Sequence, residues 1–269
     1  MRDLRRAAML LGVETALLDF RSLTARAGGE GREPFAHDAI LVRSMPAGTL
    51  EQVIFRMDVL QRLEADGVRV VNAPRPLESA IDKYLCTVRM EAAGLPVPET
   101  FVCEKAVDAL GAFEALGGAV VVKPLFGSEG RGVMRLEGTR DAEARFRELE
   151  AAGSVIYLQR LVEHPGHDFR IFTLGERVLC GMRRVTAGGW ITNVAQGARA
   201  EPLEVTPELE SLALAAARSI GAQVAGVDLL PDRDGRLWVL EVNAVPGWRA
   251  LSQTSGVDVA QEVVRYLSK

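Results

Sequence analysis

Three oxygen-bearing side chains near the C-terminal end have the types and spacing of a hard-cation site. They are Asp228, Glu241 and Asn243, in the stretch GVDLLPDRDGRLWVLEVNAVPGW from Gly226 to Trp248. Val227, Leu229 and Leu230 precede Asp232-Arg233-Asp234-Gly235, and Leu237 to Leu240 follow it. Two apolar runs flanking such a reversal read as a β-hairpin. Strand side chains alternate between faces, so Glu241 and Asn243 point the same way and the pairing brings Asp228 to about their level. Acidic residues beside a hairpin are ordinarily solvated, but among Val, Leu and Trp a carboxylate is costly unless paired or metal-bound. Two carboxylates and an amide carbonyl suit Mg²⁺, which takes a few hard oxygens and leaves the rest of its shell to water and phosphate. A nucleotide is the expected partner.

A second chemical stretch is AVVVKPLFGSEGRGVMRL, Ala119 to Leu136. A valine-rich strand delivers Lys123, and a loop with Gly127, Gly130 and Gly132 returns into another strand. Glycines let backbone amides approach a polyphosphate, and a neighbouring lysine adds a point charge; alone, the same pattern is a plain mobile turn. It is neither a Walker loop, lacking Gly-Lys-Ser/Thr and a following helix, nor a dinucleotide fingerprint. In a third stretch Asp168 and Arg170 share one face of a strand, while Arg183 and Arg184 face opposite ways on the next. Arginines so clustered suit bidentate grip on carboxylate or phosphate, against the alternative of a solvated strand face.

The elements that must position these residues follow from periodicity. Residues 1 to 80 read as a small α/β unit: a helix over 2–12, an extended piece at Thr15 to Phe20, a glycine-rich loop at Ala27 to Arg32, strands at Asp38 to Val42 and Val68 to Val71, and a helix over Thr49 to Ala65. Arg43 and Ser44 follow the first strand, at the end where open α/β sheets gather ligands. Helices are expected over Glu78 to Ala93, Asp108 to Leu116, Asp141 to Ala151, Pro207 to Gly221 and Val257 to Leu267. Strands are expected at Thr100 to Cys103, Val155 to Val162, Asp168 to Leu174, Arg177 to Val185 and Trp190 to Asn193. His164 and His167 read as loop. With 269 residues, 48% apolar and 25% charged, the chain can bury a sizeable core. A net charge of −4 argues against a general nucleic-acid binder. Neither a membrane span nor a signal peptide is legible, so a cytoplasmic protein is expected, with no membrane partner. Cys86, Cys103 and Cys180 are too scattered for a disulfide framework or zinc site.

Taken in order, the Asp82-Lys83 helix, VVVKP with GSEGRGV, IYLQRLVE, DFR and GVDLL…LEVNAVPGW resemble the ATP-grasp ligases, most closely the RimK-like α-L-glutamate ligases. The resemblance runs from around position 36 onward. It implies a mixed α/β and α+β fold in which nucleotide lies between two lobes, behind a small N-terminal α/β domain. The ATP-grasp domain would span 81–269, with a smaller lobe at 81–160 and a larger one at 161–269. It implies that Lys83 and Lys123 contact the ATP phosphates, that the loop Gly127-Ser128-Glu129-Gly130, ending at Gly132, closes over them, and that Gln159, Arg160, Leu161 and Val162 form the adenine hinge. Glu163 or Asp168 would approach the ribose, Asp228, Glu241 and Asn243 would bind Mg²⁺ or Mn²⁺, and Arg170, Arg183 and Asn193 would face the transferring phosphate.

The implied reaction is ATP-dependent amide formation through an acyl-phosphate, between a small-molecule carboxylate and an amine, glutamate foremost. The sequence leaves the oligomeric state open, homo-oligomers included. Two departures stand out. The family's opening β-strand is missing before the first helix, and Ile191 stands where close relatives carry arginine. The closing EVNAVPGW resembles members that act on one-carbon carrier cofactors, with pterin or tyrosine-like acceptors. A regulator that binds nucleotide without ligating, and a kinase, are the competing classes.

Overall fold

Hydrophobic alternation resolves into three sheets in the computed structural model, which describes residues 1–28, 35–127, 130–186, 188, 190, 192 and 197–269. The N-terminal sheet is a parallel pair, β1 (Ala39–Leu41) beside β2 (Arg69–Val71). It is joined through α2 (Leu50–Ala65), whose start is set by a capping box between Thr49 and Gln52. Among the described residues no strand precedes β1. The preceding helix, α1 (Arg2–Leu11), stops at Gly12 in the left-handed region, φ 68°.

The small antiparallel sheet has the order β3 (Thr100–Cys103), β6 (Ile156–Arg160), β4 (Ala119–Lys123), β5 (Met134–Glu137). Its inner face, Val120, Val122, Ile156 and Leu158, packs on Phe113 of α5 (Ala106–Ala115) and Phe146 of α6 (Thr139–Ala151). The alternate residues, Val121, Lys123, Tyr157 and Gln159, are thereby turned to the opposite side.

The large sheet runs β11 (Leu237–Asn243), β10 (Val224–Pro231), β7 (His167–Leu174), β8 (Arg177–Val185), β9 (Arg199–Pro202), all antiparallel. Every residue of β10 is buried. One face carries Ile171, Val227 and Leu229 onto α7 (Pro207–Ser219), and the other carries Phe172 and Leu174 onto α8 (Arg249–Ser255) and α9 (Val259–Leu267). A central strand covered on both faces reads as a continuous apolar run rather than an alternation. α1 lies on α9, fastened by Arg6 to Asp258 at 2.7 Å, and its Asp3 accepts from the indole of Trp248, the residue that precedes α8, at 2.7 Å.

Several expected elements differ. The helix expected over Glu78 to Ala93 is two, α3 (Pro74–Ile81) and α4 (Lys83–Ala92). Asp82 is extended between them (φ −86°, ψ 104°), and its carboxylate accepts from the amides of Tyr84 and Leu85. An Asx cap competes with continued helix, so Lys83 opens a new one. Trp190 and Thr192 are not in a strand, the rest of that expected strand lies outside the described residues, and β9 edges the sheet instead. His164 is in a loop as expected, but His167 begins β7. The loop expected over Ala27 to Arg32 lies, from residue 29, outside the described residues.

Candidate active site

The outward face of the small sheet and the cleft end of the large sheet line a cleft that is open to solvent. From the small sheet come Val121, Lys123, Gln159 and the segment Arg160 to Val162, and from the helix break comes Lys83. From the large sheet come Asp168, Arg184, Asp228 and Glu241.

Lys83 and Lys123 are separated by one helix and one strand in sequence yet meet on one wall. The Lys83 ammonium donates to the carbonyls of Gly127 at 2.9 Å and Leu125 at 3.4 Å, so it holds the root of the glycine loop. Lys123 donates to Gln159 Oε1 at 2.8 Å; Gln159 in turn donates to Thr100 and Tyr157. Burial, opposed by Glu241 and aided by Lys83, pulls the Lys123 ammonium down to about 8. Burial lowers Lys83 as well, against the pull of Glu241. Two ammoniums stripped of water on one wall favour a polyanion.

Asp228 and Glu241 are paired residues of the β10–β11 ladder, with a register shift just after Asp228. Arg170 Nη2 donates to Asp228 Oδ2 at 2.9 Å, its Nε closes on the other oxygen, and Arg184 Nη2 reaches Oδ2 at 3.0 Å. Burial alone would raise this carboxyl, but the two guanidiniums outweigh it and hold Asp228 below the usual range. Glu241 is different: burial and the neighbouring Asp228 push its carboxyl up, and Arg170 lies 3.9 Å away. Its side chain keeps 39% of its surface, so protein surrounds it while the cleft still wets it. Arg170, Lys123 and Lys83 offset part of that repulsion, and a divalent cation held by Glu241 would offset more. Asn243 follows two residues on, its Oδ1 accepting the Val245 amide at 2.9 Å. Among the described residues no three His, Cys, Asp or Glu side chains form a closed cage. The oxygens that would hold Mg²⁺, an ion that takes few protein ligands, are those of Asp228 and Glu241 on the cleft wall, with Asn243 outside the cleft lining.

Of the other expected site residues, Gly127, Gly130, Arg160, Leu161 and Val162 line the cleft, whereas Gly132 closes the loop beside Pro124. Ser128, Glu129 and Asn193 lie outside the described residues. The Arg160 and Leu161 amides are taken by the carbonyls of Glu99 and Ala119. Asp168 is 1% exposed, and its oxygens accept from Arg184 at 2.7 and 2.5 Å and from Thr192 at 2.5 Å, so it is a buried counter-ion rather than a free ribose acceptor. Glu163 is outside the cleft lining and bridges Arg135 at 3.1 Å and Arg233 at 3.2 Å. Arg183, expected to face the transferring phosphate, is not among the residues lining the cleft. It pairs across from Phe169, which lies opposite Leu229, on the face packed against α7, and it contacts His167 Nδ1 at 3.2 Å. Arg184 is the arginine on the cleft face. Sequence reasoning also missed Leu230, Leu240, Val133 and Trp190, apolar walls of the cleft whose types match any core position.

The comparisons bear on this geometry. A family model described as the RimK-like ATP-grasp domain matches residues 80–267. A tetrahydromethanopterin:alpha-L-glutamate ligase of Methanococcus maripaludis is 39% identical over 232 residues, covering 83% of this chain and 76% of that one. The ligase of the same name from Methanosarcina acetivorans is 32% identical over 262 residues, covering 86% and 79%. A probable alpha-L-glutamate ligase of Picosynechococcus sp. is 34% identical, covering 86% and 76%. Among solved structures, the ATP-grasp ligase PsnB complexed with minimal precursor, Mg and ADP aligns with a TM-score of 0.78 at 24% identity, covering 99% of this chain and 92% of that one. D-cycloserine synthetase DcsG aligns at 0.74 and 21%, covering 100% and 93%. At such identities these two likenesses speak to the fold.

Proposed function

Because the chain belongs to the RimK-like ATP-grasp ligase family, we propose that it joins the amine of glutamate, or of another amino acid, to a carboxylate of a small-molecule or peptide acceptor, in the cytoplasm, using ATP. The observation that carries this reading is the convergence of Lys83 from the start of α4 and Lys123 from the small sheet with Asp228 and Glu241 from the large sheet on one cleft. Two ammoniums facing two carboxylates across a cleft suit a triphosphate together with a divalent cation.

The acceptor carboxylate attacks the γ-phosphate, the bond to the departing ADP breaks, and an acyl-phosphate forms; the amine then adds to the acyl carbon and phosphate leaves. Lys83 and Lys123 hold the phosphates. Arg170 and Arg184 offset charge on the transferring phosphoryl group, where preorganised cations contribute most. Asp228, Glu241 and Asn243 would hold magnesium, or manganese in its place, which neutralises phosphate oxygens as a Lewis acid when bound. The Leu161 carbonyl and Val162 amide have no backbone partner among the described residues, and they would meet the adenine edge. Closing the Gly127–Gly132 loop would keep water from the acyl-phosphate.

The acceptor class favoured by the relatives is a pterin, since those named above from two methanogens are tetrahydromethanopterin:alpha-L-glutamate ligases. The protein is incubated with Mg-ATP, glutamate and a panel of pterin, tyrosine-like and peptide acceptors, and products are read by mass spectrometry. A ligase gives an amide with equal ADP and phosphate. ADP without free phosphate points to a kinase, and neither product points to a regulator; either result overturns the reading.

A further inference from the structure

Arg43 belongs to neither the nucleotide wall nor the metal wall, and its surroundings are unusual for a guanidinium. It follows β1 by two residues, at the carboxyl end of a parallel pair. Its guanidinium carbon lies 3.6 Å from the centroid of the Trp248 ring, and Nη1 donates to the Pro246 carbonyl at 3.0 Å. Its Nε and Nη2 have no acceptor, and no carboxylate pairs with it, among the described residues. Asp3 is the acid that acts on it electrostatically, but that carboxylate is committed to the Trp248 indole at 2.7 Å and the chain's amino terminus at 3.0 Å. Burial pulls Arg43 down to about 10, with Asp3 opposing. A guanidinium taken from water is costly unless an anion compensates it.

Its position relative to the cleft follows from the large sheet. Arg170 and Phe172 alternate on one face of β7, roughly 7 Å apart as next-but-one strand neighbours. Trp248 stands edge-on to Phe172, with centroids 6.0 Å apart at 83°, and Arg43 stacks on Trp248. Pro246 and Arg170 share the space above Gly226: a Cβ there would meet Arg170 Nη1 at 2.6 Å and Pro246 Cβ at 3.0 Å. Pro246 therefore links the Arg43 fork to the space beside Arg170, outside the residues that line the nucleotide cleft.

We infer that Arg43, pinned flat by Trp248 and Pro246, is a specificity-determining residue that binds a spectator carboxylate of a substrate whose other end reacts beside Arg170. A planar fork with two free donors on a rigid shelf suits bidentate carboxylate recognition. The assignment rests on the ligase reading and adds to it the substrate class: an acid with a second carboxylate, carried by glutamate or by the acceptor.

L-glutamate is titrated calorimetrically into wild type, Arg43→Met and Arg43→Lys, each saturated with Mg and a non-hydrolysable ATP analogue. Glutamine and isoglutamine, each lacking one carboxylate, serve as further probes. Arg43→Met is expected to weaken glutamate at least tenfold with nucleotide affinity kept within twofold, and Arg43→Lys to fall between. The amide that binds equally to wild type and Arg43→Met identifies the carboxylate held. If glutamate is unaffected but KM for the acceptor rises at least tenfold, the acceptor carries the carboxylate. Both substrates within twofold of wild type in Arg43→Met overturns the inference. A wild type that forms no amide with any acceptor sinks the ligase reading separately, while the glutamate titration still decides whether Arg43 binds a carboxylate.

Discussion

Arg183 and Arg184 are neighbours in the chain and opposites in the sheet, and the difference is measurable. Arg184 is 3% exposed and serves two buried carboxylates, so Arg184→Leu leaves Asp168 and Asp228 facing each other without it. Removing one partner of such a pair costs about 3–5 kcal/mol. Arg183→Leu is expected to cost about 1 kcal/mol or less and to keep most activity, as for a substitution outside such a network. Chemical denaturation and ADP release measure both. Lys123 makes a pH prediction. An unfolded lysine keeps its proton to ~10.4, whereas Lys123 releases it near 8, so between these values the unfolded chain binds more protons and stability rises with pH. Phosphate binding needs the ammonium, so KM for Mg-ATP is expected to climb across the same window. Lys123→Met should flatten that climb. Residue types announced Lys123 and the late acids because a charge in an apolar strand has few other uses, whereas Lys83, on a helix, is singled out only by the family resemblance. They did not announce that Asp168 would be consumed by Arg184 and Thr192, since pairing partners depend on register.

At the scale of elements, the glycine loop tests whether backbone geometry serves the site. Gly132 sits at φ +72°, and a Cβ there would lie 2.8 Å from Pro124 Cγ. The left-handed conformation alone costs another residue about 1–2 kcal/mol, and the proline clash adds to it. Gly132→Ala is therefore expected to lower kcat/KM for ATP about tenfold or more, while the thermal midpoint moves only a few degrees. Unchanged kinetics would remove the loop from the mechanism. Strand β7 shows what a pattern can and cannot convey. Its even positions begin as Asp168, which lines the cleft, and Arg170, which pairs with Asp228 behind it, and continue as Phe172 and Leu174 under α8 and α9, so one face changes function halfway along. Alternation revealed the two strands and the turn between them, but neither the register shift at Phe172/Thr173, which sets Arg184 rather than Arg183 opposite Asp168, nor where the cleft ended. The break at Asp82 was equally hidden, because helical spacing runs through both α3 and α4 and only the extended Asp82 separates them.

At the scale of the molecule, a buried asparagine just after β2 fastens the N-terminal pair to the large sheet, beside the packing of Val71 on Phe172 and Val224. Asn72, 1% exposed, donates to the carbonyls of Val224 and Ala244 at 2.6 Å each and accepts from the amides of Gln223 and Val224 at 2.7 and 3.0 Å. Ala244 adjoins Asn243, so this clamp ties the end of β11 to β2. Asn72→Ala leaves four buried backbone groups without it and is expected to cost about 3 kcal/mol or more. Asn72→Asp, which turns an acceptor toward two carbonyls, should cost more still; urea titration ranks them. Nothing in the turn Asn72-Ala73-Pro74 distinguished this asparagine from an ordinary loop residue, because its four partners are about 150 to 170 positions away. The central claim is that two sheets close on one metal-bridged triphosphate. A crystal structure with Mg and a non-hydrolysable ATP analogue tests it most directly. The account predicts phosphates against Lys83 and Lys123 and the metal on Asp228 and Glu241; a nucleotide bound elsewhere, or a metal that leaves both carboxylates untouched, would contradict it.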